Sequence, residues 1–171
     1  MLVALTGTPG TGKSTVAPLL EKRGFRLCDV NGLARRCGAL RTYDHKRESW
    51  EVDLGVLERS IPKRRPLILV GHLSHLLPVD LSIVLRCHPE ILRKRLQAKG
   101  WGSSKVRENV EAEALGVIAQ EAMEGERAFE VDTTSASTGE TARIVLDILA
   151  GRGERYKAGS VDWSEVILGW F

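Results

Sequence analysis

Cysteines and long apolar runs are scarce in this chain, and each scarcity excludes a class of protein. The cysteines, Cys28, Cys37 and Cys87, are odd in number and have no CxxC spacing, so neither a disulfide framework nor a zinc site is expected. We predict reduced, mostly buried thiols instead. No apolar segment approaches the roughly twenty residues that a membrane-spanning helix needs, and Met1 leads almost at once into an apolar run without room for a signal peptide. The sequence therefore predicts a cytoplasmic protein with no membrane partner.

A strong net charge is missing as well. The formal charge is +3 and the isoelectric point is about 8.9, within a composition of 43% hydrophobic and 27% charged residues that is ordinary for a globular protein. This balance is compatible with phosphate-rich ligands or ribosomal surroundings, but it is too weak to indicate a dedicated nucleic-acid-binding protein. The 171 residues are enough to bury a core, and we expect a single domain, 1–171.

The most specific motif lies at 7–15, where the sequence Gly-Thr-Pro-Gly-Thr-Gly-Lys-Ser-Thr matches the phosphate-binding loop. Glycines in this pattern let successive backbone N–H groups face phosphate oxygens. Lys13 then reaches the β- and γ-phosphates of a nucleotide, and Ser14 offers its hydroxyl to Mg²⁺. Apolar runs before and after the motif predict a strand, the loop and a helix whose N-terminus attracts anions. Pro18 lacks the N–H that would bond the Ser14 carbonyl, so we expect a bend in that helix.

Strands and helices are expected to alternate along the rest of the chain. Further strands are predicted within 24–30 and at 66–70, 80–85 and 129–132. Helices are predicted at 32–36, with Asn31 as the cap, at 53–61 and at 90–99. One long helix with an apolar stripe from 106 to 118 and a helix behind a capping box at 137–140 are also predicted. The charged region 38–52 has no clean period and is expected to be a surface excursion. Strand runs that are apolar on both faces predict a parallel sheet between helical layers, an α/β fold.

The guanine-reading segment of GTPases, Asn-Lys-x-Asp, is also missing. Asparagine occurs only at Asn31 and Asn109, and neither is followed by lysine. A basic helix at 93–99, followed by Lys105 and Arg107, instead suits phosphoryl transfer, in which the charge on the γ-phosphoryl oxygens must be neutralised and water excluded. We interpret this group of cations as a lid.

Five segments together resemble the atypical adenylate kinase-like family of archaea and the eukaryotic nucleus, which is linked to small ribosomal subunit maturation. They are 7–15, Gly71-His-Leu-Ser-His75, Val84-Leu-Arg-Cys-His-Pro89, Arg95-Leu-x-x-x-Gly-Trp101 and Lys105-Val-Arg-Glu-Asn-Val-Glu-Ala-Glu113. The resemblance implies the nucleoside monophosphate kinase fold, with a five-stranded parallel sheet, a monophosphate-binding insertion at about 29–51 and a short lid at about 98–108. It also implies transfer of phosphate from ATP to AMP, an ATPase side activity, a ribosomal protein of the small-subunit platform as partner and, indirectly, pre-ribosomal RNA.

The resemblance also assigns roles to individual residues. The ATP phosphates would be held by Gly10, Thr11, Gly12, Lys13, Ser14 and Thr15. Lys99 replaces a lid arginine that contacts nucleotide, which keeps the charge but loses the bidentate fork. His72 falls on the histidine of the second nucleotide motif, where its ring nitrogens could orient water or the acceptor.

One position departs from the family pattern. The motif has a carboxylate at the end of the strand 66–70, where it would hold Mg²⁺, and this chain has Val70. Either Ser14, phosphates and water hold the metal alone, or Asp29 or Asp80 substitutes, or catalysis is attenuated. We favour weak catalysis with nucleotide binding retained.

The acceptor and the physiological role stay open at this level. Arg35, on the helix after the second strand, is the best candidate for the phosphate of AMP or another monophosphate, with Asp29 and Asp44 as partners. The chain is interpreted as an adenylate kinase that uses ATP and Mg²⁺. The alternatives are an ATP-gated ribosome assembly factor with little kinase turnover and a degenerate nucleotide sensor.

Overall fold

A five-stranded, all-parallel sheet forms the centre of the molecule in the computed structural model, which describes residues 1–45, 48–125 and 127–170. The strands are β1 (Leu2–Thr6), β2 (Leu27–Asp29), β3 (Leu40–Asp44), β4 (Ser49–Val52), β5 (Leu67–Val70), β6 (Leu81–Arg86) and β7 (Ala128–Asp132). The helices are α1 (Lys13–Glu21), α2 (Val30–Arg36), α3 (Leu54–Arg59), α4 (Pro89–Ala98), α5 (Ser103–Ala114), α6 (Val117–Met123), α7 (Thr138–Leu149) and α8 (Ser164–Leu168). This confirms the predicted α/β fold.

The strand order, β2-β5-β1-β6-β7, places β1 in the middle of the sheet. Leu5 is aligned with Val70 of β5 on one side and with Ile83 of β6 on the other. The loop that follows β1 therefore leaves the carboxyl edge between the ends of its two neighbours. In open parallel sheets this edge, at the point where the chain order reverses, is where ligands bind.

Helices cover both faces of the sheet, which explains why most side chains on both faces of its strands are apolar. On one face, α1 and α7 pack against β1, β6 and β7, with Leu20 and Val145 among the buried side chains. On the other face, α2 and α3 pack against β2 and β5 through residues that include Leu33 and Leu57. No helix among the described residues has the length and apolar character needed to span a bilayer. The cysteines are free thiols, and Cys28 and Cys87 are buried, as predicted.

Region 38–52 is not an irregular excursion, because it contains an antiparallel hairpin made of β3 and β4. Tyr43 is aligned with Trp50, and their rings lie 5.2 Å apart. Three of the five residues of β3 and two of the four residues of β4 are exposed, and neither strand alternates strictly between buried and exposed positions. Cross-strand aromatic contact, which a one-dimensional pattern does not reveal, stabilises this hairpin instead.

The predicted long helix through 106–118 is wrong, because the structure has two helices there. Gly116 adopts a left-handed conformation with φ of 66°, which ends α5 and begins α6. In the sequence the apolar positions continue past Gly116, which is why periodicity alone suggested one helix, although Val117 is exposed in the structure.

The predicted cap of α2 is also wrong. Asp29, at the end of β2, accepts hydrogen bonds from the backbone N–H groups of Asn31 (3.2 Å) and Gly32 (2.9 Å). The strand thus leads directly into the helix, and Asn31 lies inside it. By contrast, the capping box of Ser137 and Glu140 is present as predicted. Helix α1 continues through Pro18 to Glu21.

Candidate functional site

The loop between β1 and α1 has the backbone of a phosphate cradle. Gly7, Gly10 and Gly12 have φ values of 129°, 94° and 109°, a region that side chains with a Cβ rarely adopt. At Gly7 a Cβ would also lie only 2.3 Å from the Leu85 carbonyl oxygen. The loop therefore needs glycine both for its conformation and for its close approach to β6.

Lys13 points back across this loop. Its Nζ donates hydrogen bonds to the carbonyl oxygens of Gly7 (2.5 Å) and Thr8 (3.0 Å). Burial, opposed by the charge of Glu113 and reinforced by that of Lys99, lowers the pKa of Lys13 from 10.5 to about 8. The ammonium is thus held at the loop in an environment where an additional anion would favour its charged form.

A cavity of about 420 Å³ lies on one side of the loop, and we name it the Lys99 cavity. It is lined by Gly10, Thr11, Gly12, Ser14, Thr15, Val16, Arg95, Ala98, Lys99, Thr133, Ala136, Thr138 and Thr141. Five of the residues proposed from sequence to bind ATP phosphates, together with Lys99, thus face one space. Ser14, which is exposed and lies in the first turn of α1, lines this cavity.

Two residues that sequence reasoning did not single out as ligand contacts build the wall of the Lys99 cavity. Arg95 donates to the Thr133 carbonyl at 2.7 Å, and the Thr133 hydroxyl donates to the Thr11 carbonyl at 2.9 Å. Thr133 follows β7, far along the chain from the loop. No local motif marks it, whereas Arg95 belonged to a quoted segment but was counted among the surface cations of the lid.

A second cavity, of about 600 Å³, lies on the other side of the loop, and we name it the His72 cavity. Its wall includes Thr8 of the loop, Arg35 of α2, Trp50 of the hairpin, His72 and Lys105. The Lys105 Nζ donates to the Glu48 carbonyl at 3.1 Å, so the start of α5 meets the hairpin at this cavity. Apolar and cationic groups together suit a ligand with a base and a phosphate.

His72 is neutral at physiological pH in this environment. Burial first, and then the charges of Lys13, His75 and Lys105, lower the pKa of His72 from 6.5 to about 4. A neutral imidazole has one ring nitrogen that donates and one that accepts. A neutral imidazole can hydrogen-bond to water or to an acceptor group without adding charge, so the role predicted for His72 stays a prediction.

The segment that carries His72 is fixed by a buried histidine. His75 lies between two elements, with Nδ1 2.9 Å from the Thr6 hydroxyl and Nε2 2.9 Å from a Glu121 carboxylate oxygen. The Thr6 hydroxyl also lies 3.3 Å from the His72 carbonyl, to which it donates. These contacts connect the end of β1 and helix α6 to the turn after β5.

No carboxylate occupies the end of β5, where Val70 lies at the carboxyl edge beside Asp29 of β2. Asp80 is excluded as a substitute, because it lies at the opposite edge and accepts a hydrogen bond from the Leu2 N–H at 2.6 Å. Both Asp29 oxygens already accept from the first turn of α2. Within the described ranges, no group of three or more His, Cys, Asp or Glu residues is arranged to hold a metal ion.

Behind the loop lies a buried ionic network that the sequence did not reveal. Glu113, Arg86 and Glu130 are 2%, 3% and 2% exposed, and Arg86 pairs with both carboxylates. A glutamate such as Glu113 is ordinarily expected on the exposed face of a helix. Only the fold, which brings the end of α5 against β6 and β7, shows that this charge faces inward.

A phosphate cradle at the carboxyl edge of a parallel sheet, with a cavity on each side, defines a P-loop kinase. Residues 3–116 match the sequence pattern of a protein family described as an AAA domain. Proteins named "Putative adenylate kinase" are similar over nearly the whole chain. The one from Archaeoglobus fulgidus is 44% identical over 167 residues, covering 95% of this chain and 92% of the relative, and the one from Methanothermobacter thermautotrophicus is 42% identical over 172 residues, covering 98% and 100%. The chain belongs to this adenylate kinase family, a family of phosphotransferases.

Solved structures agree on the fold. Shikimate kinase from Acinetobacter baumannii superposes with a TM-score of 0.63 at 16% identity, covering 90% of this chain and 94% of that one. Deoxyadenosine kinase from M. mycoides has a TM-score of 0.56 at 14% identity, covering 88% and 99%. The comparisons confirm the predicted kinase fold and the adenylate kinase part of the resemblance.

Proposed function

We propose that this protein transfers the γ-phosphoryl group of ATP to AMP, giving two ADP. The observation that carries the proposal is the phosphate loop with one cavity on each side. In-line transfer requires a donor and an acceptor that meet at the γ-phosphoryl group from opposite directions. The Lys99 cavity is the donor side, and the His72 cavity is the acceptor side.

On the donor side, the backbone N–H groups of the loop and Lys13 hold the phosphates. The left-handed glycines give the loop a conformation in which successive backbone N–H groups can face phosphate oxygens. Lys99 adds a second cation at the cavity wall. Together they stabilise the charge that spreads over the γ-phosphoryl oxygens during transfer.

On the acceptor side, Arg35 and Lys105 supply the charge for the AMP phosphate, and neutral His72 orients the attacking oxygen. The acceptor region corresponds to about 29–51, which comprises α2 and the hairpin, and the lid to about 98–108. Residues 46 and 47 of the acceptor region lie outside the described residues.

Magnesium fits this site with the Ser14 hydroxyl as its protein ligand. Ser14 is exposed and lines the Lys99 cavity next to the loop. A small hard cation of this kind usually keeps waters and binds substrate phosphates alongside few protein oxygens. When bound it would neutralise phosphate charge. Without a carboxylate at Val70, Ser14 carries the protein's direct contribution.

The missing carboxylate favours a second role, that of an ATP-gated factor in small ribosomal subunit maturation. In this role slow ATP hydrolysis would release a ribosomal protein of the subunit platform, close to pre-ribosomal RNA, and kinase turnover would be secondary. Weaker Mg²⁺ binding, caused by the lack of a carboxylate at position 70, suits slow hydrolysis better than fast transfer.

One experiment separates the two roles. The protein is incubated with Mg-ATP alone and with each nucleoside monophosphate in turn, and ADP, monophosphate and inorganic phosphate are resolved. ADP formation that depends strictly on AMP, at two ADP per AMP consumed, is the expected result. Phosphate release without an acceptor, stimulated by a platform ribosomal protein, would favour the second role instead. Loss of turnover in Lys13→Ala ties either activity to the loop.

A further inference from the structure

The carboxylate of Glu113 connects helix α5 to the phosphate loop. Its Oε2 accepts a hydrogen bond from the Thr8 hydroxyl at 2.6 Å, and both residues are 2% exposed. The Thr8 carbonyl in turn accepts from the Lys13 ammonium at 3.0 Å and from the Thr11 N–H at 3.2 Å. A displacement of Thr8 would therefore move the groups that set the path of the loop and the position of its lysine.

A second set of contacts fixes Glu113 itself. Its Oε1 accepts from the Arg86 Nε at 2.8 Å and from the Cys87 N–H at 3.0 Å, and its own carbonyl accepts from Arg86 at 3.1 Å. Arg86 is paired as well with Glu130, whose other oxygen accepts from three consecutive backbone N–H groups, those of residues 159–161. A buried carboxylate persists only when it is paired and hydrogen-bonded in this way. Glu113 is thus a fixed point, and Thr8 is attached to it.

The same helix reaches the other side of the site. Lys105, eight residues before Glu113 and therefore roughly 12 Å along the helix axis, meets the Glu48 carbonyl at the His72 cavity. Val106 and Val110 bury the helix against α4 between these two contacts. Helix α5 therefore spans the distance from the hairpin to the phosphate loop as one packed element.

We propose that Glu113 is a positioning residue for the phosphate loop, which holds Thr8 and with it the loop geometry that receives the ATP phosphates. This inference rests on the proposed function in taking ATP as the ligand of the loop. Glu113 does not contact the reacting atoms, since its carboxylate lies behind Thr8. Glu113 acts through the loop. Its substitution is therefore expected to weaken ATP binding more than AMP binding.

The test combines Thr8→Val, Glu113→Gln and the double variant with two controls. Thr8→Ser keeps the hydroxyl, and Glu111→Gln removes a carboxylate of the same helix that pairs with Arg107 at the surface. Mg-ATP affinity is measured by calorimetry without an acceptor, and the KM values for ATP and AMP are measured separately. Thermal unfolding is recorded for every variant.

We expect Thr8→Val and Glu113→Gln each to weaken ATP binding roughly tenfold, because the loop loses the contact that fixes its phosphate-binding geometry. The KM for ATP rises in parallel, and by a larger factor than the KM for AMP. The double variant binds ATP no more weakly than Glu113→Gln alone, because Thr8→Val then removes only the hydroxyl contact that the first substitution has already disrupted. Glu111→Gln binds ATP like the wild type, and Thr8→Ser, which keeps the hydroxyl, binds ATP more tightly than Thr8→Val.

Wild-type ATP affinity in both Thr8→Val and Glu113→Gln would overturn the proposal, as would additive losses in the double variant or a lowered melting temperature with unchanged ATP binding. Thr8→Val removes only a hydroxyl and decides the question by itself where Glu113→Gln does not fold. A wild-type protein that binds ATP but forms no AMP-dependent ADP contradicts the proposed function and leaves this binding test intact.

Discussion

Val70 at the end of β5 is aligned with Asp29 at the end of β2, so a carboxylate lies one strand away from the position where the family resemblance has one. The Asp29 side chain caps α2 and is directed to that helix. The end of β5, beside the loop, is left with an apolar side chain.

We expect Val70→Asp to raise the rate of ADP formation roughly tenfold, because a carboxylate next to the loop would help to hold Mg²⁺ against the phosphates. The rate is measured at saturating ATP and AMP over a range of Mg²⁺ concentrations. Val70→Asn, which has a similar shape without the charge, serves as the control. Unchanged or lower turnover in Val70→Asp would show that the missing carboxylate does not limit the reaction.

ATP binding is expected to take up a proton near pH 8. In the free protein the pKa of Lys13 is lowered to about 8, and neighbouring phosphates favour its charged form. Affinity should therefore fall as the pH rises above 8. The proton uptake is measured by calorimetric titration at a pH of about 8, close to the pKa of Lys13. The titration is repeated in buffers of different ionisation enthalpy, because the heat then changes with the number of protons taken up. Equal heats in all buffers would contradict the prediction, and Lys13→Met removes the uptake.

His72 makes the folded protein sensitive to acid. Its pKa is lowered to about 4 in the folded protein, from an ordinary value of 6.5, so the unfolded chain binds the proton more readily between these values. The free energy of unfolding is therefore highest, as far as His72 is concerned, above about pH 6.5. It falls by at most about 3 kcal/mol as the pH decreases toward 4, because the unfolded chain takes up the proton first. Urea unfolding of wild type and His72→Asn across this range measures the difference. Parallel stability curves would refute the assignment.

Arg35 and Arg36 form a matched pair for testing the acceptor side. Both lie in the last turn of α2, but only Arg35 lines the His72 cavity. We expect Arg35→Ala to raise the KM for AMP roughly tenfold, the effect of losing one charge-assisted contact to phosphate, without changing the KM for ATP. Arg36→Ala should leave both values unchanged. An equal effect of the two substitutions would argue for general electrostatics over a specific contact.

Gly116 and Gly139 test the break between α5 and α6. Gly116→Ala forces a residue with a Cβ into a left-handed conformation and should destabilise the fold by about 1 kcal/mol. Gly139 lies in the first turn of α7 with open space around it, and Gly139→Ala should stabilise by about 0.5 kcal/mol through the unfolded state. Denaturant unfolding of both variants measures the contrast. A stabilised Gly116→Ala would mean that the helix can run on without interruption.

Local chemistry made the centre of this molecule predictable. The phosphate loop, the central strands and the capping box of Ser137 and Glu140 depend on residues close together in the chain, and each was predicted in place. The hairpin was missed because exposed strands such as β3 have no apolar alternation. The cap of α2 was missed because Asp29 is both the last residue of β2 and the N-cap of α2, with no loop between them.

Long-range contacts made much of the site unpredictable. Thr133 reaches Thr11, and Glu113 reaches Thr8, only because β7 and α5 are brought beside the loop by the sheet order. No spacing in the sequence encodes either contact. The sequence predicted roles for the loop residues and His72, whereas the division of their surroundings into two cavities required the folded chain.

The two cavities differ in size and lining, yet under the proposed reaction both end with the same molecule. Transfer leaves ADP in the Lys99 cavity and a second ADP in the His72 cavity, whose cations Arg35 and Lys105 must then share two phosphates instead of one. The two ADP molecules are chemically identical, but each is bound by different residues. In the reverse direction ADP has to enter each side, and the weaker of the two sites sets the concentration at which the reaction runs backward.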